Sequence, residues 1–243
     1  MSQHSADFAT RRAAFAEVDT WVFDLDNTLY PPHADLWPKI DERITSYIAQ
    51  KLALGRVEAR DLQKAYYQKY GTSLRGLMDL HDVEPLEFLD FVHDIDRSTL
   101  EPNPKLAAAI GALPGRKLIF TNGSRIHAEN TAIQLGIRPH VDAIFDILAA
   151  DLIPKPNAEA YSRFFNVHQV EPKRAAMFED IAKNLVVPHL SGMVTTLVIP
   201  KQGLIDHRDE ADRTAGSRDD LTSPFIHFVT DDLEDFLLAF CQN

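Results

Sequence analysis

Two short runs dominated by apolar, β-branched and aromatic residues stand out along the chain, Thr20-Trp-Val-Phe23 and Lys117-Leu-Ile-Phe120. Neither alternates with polar positions, which is how a strand buried on both faces reads. Each gives way at once to polar residues, Asp24 to Thr28 in the first case and Thr121 to Ser124 in the second. Shorter runs of the same kind follow at Ala143 to Asp146, Ala175 to Phe178, Met193 to Ile199 and Phe225 to Val229. Helix-period segments separate them, among them His127 to Leu135 and Ala158 to Phe165, and a terminal helix follows the last. Strands alternating with helices predict an α/β fold, a doubly wound parallel sheet of Rossmann-like type with helices on both faces. Ligands of such sheets sit outside the carboxyl ends of the strands, where the polar clusters fall.

Between Tyr30 and Pro104 the pattern changes. Long helical stretches, Leu36 to Lys51 and Val57 to Tyr70, occur with no strand between them, opened by Pro31-Pro32 and closed by Pro102-Asn-Pro104. The segment is far longer than a crossover needs. It predicts an inserted all-helical cap over residues 31–102, and a discontinuous α/β core from residues 18–30 and 103–243. The charged stretch Lys201 to Ser223, with Gly203 and Gly216, reads as a surface loop before the last strand. No internal repeat is evident.

Hydrophobic residues make up 45% of the 243 positions, enough for a substantial core. The formal net charge of −11, from 36 acidic and 25 basic residues, repels polyphosphate backbones and argues against nucleic acid as the partner. A small phosphorylated metabolite remains open, because charges within a site outweigh the average field. The single cysteine, Cys241, has no internal partner, which fits a reducing compartment. The first residues carry no apolar core of a signal peptide, and no apolar run approaches the ~20 residues of a membrane span. The expectation is a cytoplasmic protein with no membrane partner; oligomeric state is left open.

The chemistry concentrates at four places. In Phe23-Asp-Leu-Asp-Asn-Thr28, carboxylates at i and i+2 follow a buried strand and can both face a cleft as the chain turns. Phosphoryl transfer uses such a pair, one as nucleophile and one for proton traffic; solvated turn formers are the alternative. Phe120-Thr-Asn-Gly-Ser124 places a hydroxyl, an amide and backbone N–H groups at a helix start, where Thr121, Asn122 and Gly123 can grip phosphate oxygens, the alternative being an ordinary N-cap by Thr121, Asn122 or Ser124. Ile153-Pro-Lys-Pro156 sets Lys155 between two prolines that stiffen its backbone. Phe178-Glu-Asp180 brings together adjacent carboxylates that repel unless a cation is shared, with Asn184 one helical turn beyond as a further substrate contact.

Taken in this order, the four clusters resemble the haloacid dehalogenase-like (HAD) hydrolase superfamily, from Thr20 to Leu238. More narrowly, Phe23 to Pro32, Tyr70 to Leu77 and Phe178 to Leu185 look like its pyrimidine 5′-nucleotidase-type branch. The resemblance implies that Asp24 takes the phosphoryl group as a covalent aspartyl-phosphate. It implies that Asp26 protonates the leaving alkoxide and then activates water, that Thr121 holds the transferring group, and that Lys155 neutralises charge. Mg²⁺ would be held by Asp24, the Asp26 carbonyl and Asp180, with Glu179 as a nearby or additional ligand. The superfamily's dehalogenases lack an acid at the position of Asp26 and need no metal, so the resemblance points to a phosphatase. The substrate it implies is a nucleoside 5′-monophosphate such as UMP or CMP; a sugar phosphate or phosphoglycolate is the alternative, and an inactive phospho-ligand-binding module a third reading. In the helical segment, Arg75 is the expected substrate contact, between glycines taken to form a tight loop. His81 and His93 read as structural or exposed, and Tyr66 and Tyr70, sharing a helix face, read as core.

Overall fold

A computed structural model describes residues 10–201 and 220–241; most of the stretch Lys201 to Ser223, read above as a loop, therefore lies outside the described residues. Among the described residues six strands form one sheet: β1 (Thr20–Phe23), β2 (Arg116–Phe120), β3 (Ala143–Phe145), β4 (Ala175–Glu179), β5 (Val194–Val198) and β6 (Phe228–Thr230). Their order is β3-β2-β1-β4-β5-β6, and every pairing is parallel. This is the doubly wound α/β arrangement that the alternation of elements predicts.

The strands form where they do because each residue has a buried face to occupy. Along β1, Trp21 and Phe23 point to one side of the sheet and Val22 to the other. The first side is closed by Leu106 and Ile110 of α5 (Pro104–Ala112), Ala128 and Ala132 of α6 (Arg125–Leu135), and Phe236 of a C-terminal helix (Leu233–Cys241). The second side packs Phe120 and Phe145 against Tyr161 and Phe164 of α7 (Ala158–His168), with Leu185 ahead of α8 (Val186–Ser191). The C-terminal helix is α9.

Between β1 and α5 lie four helices, α1 (Leu36–Leu52), α2 (Arg56–Tyr70), α3 (Ser73–His81) and α4 (Pro85–His93). They bury a cluster of their own, built on Tyr47, Ile48, Tyr66, Leu77, Phe88 and Val92, which Ile147 joins from the loop after β3. Tyr66 and Tyr70 belong to this packing, their rings meeting edge to face at 5.8 Å.

Two sequence expectations are corrected here. The stretch around Arg75 is the helix α3 rather than a tight loop, with Thr72 accepting from the Arg75 N–H at 3.2 Å as its N-cap. Gly76 sits inside that helix because Tyr66 leaves no room for a side chain: an added Cβ would lie 2.5 Å from the ring. The last strand is Phe228–Thr230 rather than Phe225 to Val229. Ahead of Phe228 side chains join the backbone contacts: the His227 N–H bonds the Thr195 carbonyl at 3.2 Å, while the Thr195 N–H donates to the His227 ring at 3.0 Å and its hydroxyl to the Phe225 carbonyl at 2.7 Å. No helix among the described residues is long and apolar enough to cross a membrane.

Candidate active site

The carboxyl ends of three adjacent strands, β2, β1 and β4, carry the polar residues. Asp24 leaves β1 with its backbone N–H still bonded to the Phe178 carbonyl of β4 at 2.9 Å, so the sheet itself sets its position. Thr121 follows β2, Glu179 ends β4, and Asp180 comes next. These groups line a cavity of about 580 Å³, and Trp37, Asp41, Tyr67 and His93 of the helical segment line it too. That volume suits a small-molecule ligand.

Lys155 is the hub. It is 2% exposed, and its ammonium donates to Asp24 Oδ1 at 2.6 Å, Glu179 Oε1 at 2.8 Å and the Phe120 carbonyl at 2.9 Å. All three ammonium hydrogens are thereby used. Its backbone is gripped by Asn122, whose carboxamide oxygen accepts from the Lys155 N–H at 2.8 Å while its nitrogen donates to the Lys155 carbonyl at 3.3 Å. Burial works against the ammonium, but Asp24 and Glu179 outweigh it and raise the lysine well above its ordinary range.

Four carboxylates, Asp24, Asp26, Glu179 and Asp180, thus line the cavity around the buried Lys155, which bonds two of them, Asp24 and Glu179. Burial, opposed by Lys155 and reinforced by Glu179 and Asp26, pushes Asp24 up to about 7. Such a surplus of negative charge is what a divalent cation relieves. Asp24, Glu179 and Asp180 each offer a ligand oxygen within 4.8 Å of the others, so the donor set fits a hard cation. Glu179 is already occupied: Oε1 accepts from Lys155 and, at 2.6 Å, from Asn184, while Oε2 accepts from the Ile181 N–H at 2.7 Å. It anchors Lys155 more than it faces the cavity. Asn184 Oδ1 is buried with no hydrogen-bond partner.

Thr121 is 1% exposed, and its hydroxyl oxygen accepts from the Gly123 N–H at 2.9 Å, leaving its hydrogen to donate onward. A Cβ on Gly123 would stand 3.3 Å from that oxygen and 3.2 Å from the His127 ring, so the absence of a side chain keeps this wall open.

Asp26 carries the most developed surroundings. Its Oδ1 accepts from Tyr30 OH at 2.5 Å and from His127 Nε2 at 2.8 Å. Burial raises Asp26, yet His127 and Tyr30 prevail and hold it below the usual carboxylate range. Burial and the neighbouring Asp26 push Tyr30 far above its ordinary value, so it remains a donor. His93, from the end of α4, stacks on His127 with centroids 4.5 Å apart. Burial first and His127 second lower it to about 3.

The structure brings most of the sequence-predicted residues together and leaves one apart. Its core residues Asp24, Asp26, Thr121 and Lys155 share the cavity, as do Asn122, Gly123, Glu179, Asp180 and Asn184. Arg75 does not. Helix α3 turns it outward, where it pairs with Asp79 one turn on at 3.1 Å and stays 41% exposed. His93 lines the cavity, whereas the sequence set it aside, and Tyr30, Arg97 and His127 went unread. The only sequence signal for His127 was its place three residues after Ser124 at a helix start.

A family model described as haloacid dehalogenase-like hydrolase matches residues 18–185. Phosphate metabolism protein 8 of Saccharomyces cerevisiae is 30% identical over 134 residues, 51% of this chain. The match spans only 42% of that relative's length. L-2-haloacid dehalogenase from Xanthobacter autotrophicus superposes with a TM-score of 0.57 at 16% identity, over 91% of this chain and 97% of that one. A HAD phosphatase from Thermococcus onnurineus gives 0.55 at 15% identity, over 90% and 95%. At these identities the likeness is one of fold.

Proposed function

The chain belongs to the haloacid dehalogenase-like hydrolases, and on that premise we propose that it is a Mg²⁺-dependent phosphomonoesterase acting through an aspartyl-phosphate on Asp24, with residues 31–102 as a cap over the site. The observation that carries this reading is the buried pair Asp24–Lys155 beside a second carboxylate, Asp26, two residues on. A carboxylate fixed at the end of β1 is a nucleophile already aligned, and phosphoryl transfer asks little of a protein beyond alignment and charge.

In this proposal an Asp24 carboxylate oxygen attacks phosphorus, and the bond from phosphorus to the leaving oxygen breaks. Asp26 gives its proton to that oxygen. Asp26 then takes a proton from water, whose oxygen attacks phosphorus; the bond to Asp24 breaks and inorganic phosphate departs. Thr121 donates to the transferring group, and Lys155 holds Asp24 and offsets its charge. Asp24, the Asp26 carbonyl and Asp180 are the groups that would hold Mg²⁺, which when bound supplies charge stabilisation to the phosphoryl oxygens.

A nucleoside 5′-monophosphate, UMP or CMP foremost, is the substrate we favour. The cap wall supports it by offering Trp37 and Tyr67 beside the polar side chains Asp41, Gln63 and Lys64, faces and edges together for a flat heterocycle. A phosphate-release panel tests the choice: UMP, CMP, purine nucleotides, sugar phosphates and phosphoglycolate, with Mg²⁺ and with EDTA. Preference for UMP and CMP is expected, with activity lost on chelation. Equal rates on sugar phosphates would overturn the nucleotide assignment, and turnover indifferent to EDTA would overturn the metal. No release from any ester would make the chain a binding module.

A further inference from the structure

The acid–base carboxylate is the end of a hydrogen-bonded chain that runs into the segment returning from the helical insertion. His127 is fully buried, its Nε2 lies 2.8 Å from Asp26 Oδ1, and its Nδ1 lies 3.0 Å from Arg97 Nη2. A guanidinium only donates. Nδ1 must therefore accept, which puts the ring hydrogen on Nε2 and aims it at Asp26. Its hold on Asp26 is a hydrogen bond directed from Nε2. Arg97 is itself anchored: Nη2 also donates to the His93 carbonyl at 3.1 Å, and Nη1 donates to the Ile95 carbonyl at 3.2 Å. His93 lies flat against His127, its plane tilted by 11°, and its Nδ1 meets the Ser124 hydroxyl at 2.9 Å.

Both donors that reach Asp26, His127 and Tyr30, meet the same oxygen, Oδ1. Among the described residues Oδ2 receives no hydrogen bond, and Asp26 lines the cavity. Two donors on one oxygen make it a poor place for a proton and fix the carboxylate plane. We propose that His127 and Arg97 are positioning residues for proton transfer: Arg97 sets the tautomer of His127, and His127 pins Oδ1 so that the proton travels by Oδ2 alone. The proposal rests on the phosphatase reading. It also gives the insertion a part in the chemistry, since Arg97 and His93 sit at its exit and the pin holds only while they are seated. A merely space-filling histidine would need neither the directed tautomer nor a guanidinium behind it.

The test is the dependence on leaving group, measured as kcat/KM with Mg²⁺ for 4-nitrophenyl, phenyl and benzyl phosphate. These esters are alike in shape, but nitrophenolate departs without a proton, while phenolate and above all the benzyl alkoxide need one. In His127→Phe, which keeps the ring and its stacking, benzyl phosphate should lose about a hundredfold more than 4-nitrophenyl phosphate, the scale of a general acid. His127→Gln, which restores a donor near the Nε2 position, should recover most of that difference. Arg97→Met should shift the same ratio by a smaller factor. Equal losses on all three esters, or no loss, would overturn the positioning role and leave the phosphatase reading standing. Wild type inert towards every ester would remove that reading itself. Should His127→Phe fail to fold, the Gln and Arg97 variants read the same ratio.

Discussion

At the scale of single residues the site is organised around a burial conflict. Asp24 is buried among other carboxylates, and Lys155 bonds both it and Glu179. Asp24→Asn should lower turnover of 4-nitrophenyl phosphate by about 10³-fold or more, as expected when a covalent nucleophile is removed. Its effect on stability should have the opposite sign. A carboxyl whose folded value is raised from 3.8 to about 7 binds its proton more tightly folded than unfolded. Its contribution therefore declines as pH rises from about 4 to about 7. Without Mg²⁺, Asp24→Asn should melt higher than wild type at pH 8 and at the same temperature near pH 4; calorimetry at the two pH values decides it. Lys155→Met is the converse. It leaves Asp24 and Glu179 buried without a counter-charge, a cost of ~3–5 kcal/mol that calorimetry would register as a lower melting temperature. Much of this was legible in advance, because Asp24, Thr121 and Asp180 each directly follow or lie next to an apolar strand. Lys155 was legible only by resemblance, since a lysine between prolines is ordinarily solvated and nothing local announces its three buried acceptors. His127 and Arg97 were invisible because their meaning lies in partners 101 and 30 residues away along the chain.

Among the elements, the sheet was the most readable part. Strands buried on both faces leave unbroken apolar runs, and β1 was predicted with its observed bounds. The insertion was readable as helical but not in its detail. Helices α3 and α4 have nine residues each, too short for a strong period, and Gly71 and Gly76 suggested a loop. Only Gly71 behaves as one, ending α2 at a φ of +84° with Pro154 of the Lys155 loop close by. Gly76 is a packing residue. Gly76→Ala sets two effects against each other, a helix-propensity gain of about 1 kcal/mol and an overpacking cost of about 1–3 kcal/mol. With 2.5 Å between the new Cβ and the Tyr66 ring, overpacking should prevail, lowering the melting temperature by a few degrees. In a Tyr66→Leu background the same substitution should cost less, as a double-mutant cycle would measure. Equal costs in both backgrounds would detach Gly76 from Tyr66.

Over the whole molecule, charge is distributed as function demands rather than as stability prefers. The chain carries a formal −11, and four of its carboxylates converge at the strand ends with one buried lysine between them. A fold held by two sheet-face cores and a helical cluster can support that concentration only while a counter-charge is near. Binding of Mg²⁺ to the folded state alone should therefore stabilise it by mass action, by about 1.4 kcal/mol at ten times the dissociation constant. For a chain of this length that is a rise of roughly 3–6 °C in melting temperature. General screening of an acidic surface would also raise it, and sodium chloride at matched ionic strength measures that part. The remainder belongs to the site, so it should disappear in Asp180→Asn, which removes a ligand oxygen without touching the Lys155 hub. It should persist in Arg75→Ala, whose side chain is spent on Asp79 at the surface. An equal Mg²⁺ response in Asp180→Asn and wild type would mean that the ion settles on the acidic exterior, and that the carboxylates above β1 and β4 do not gather it.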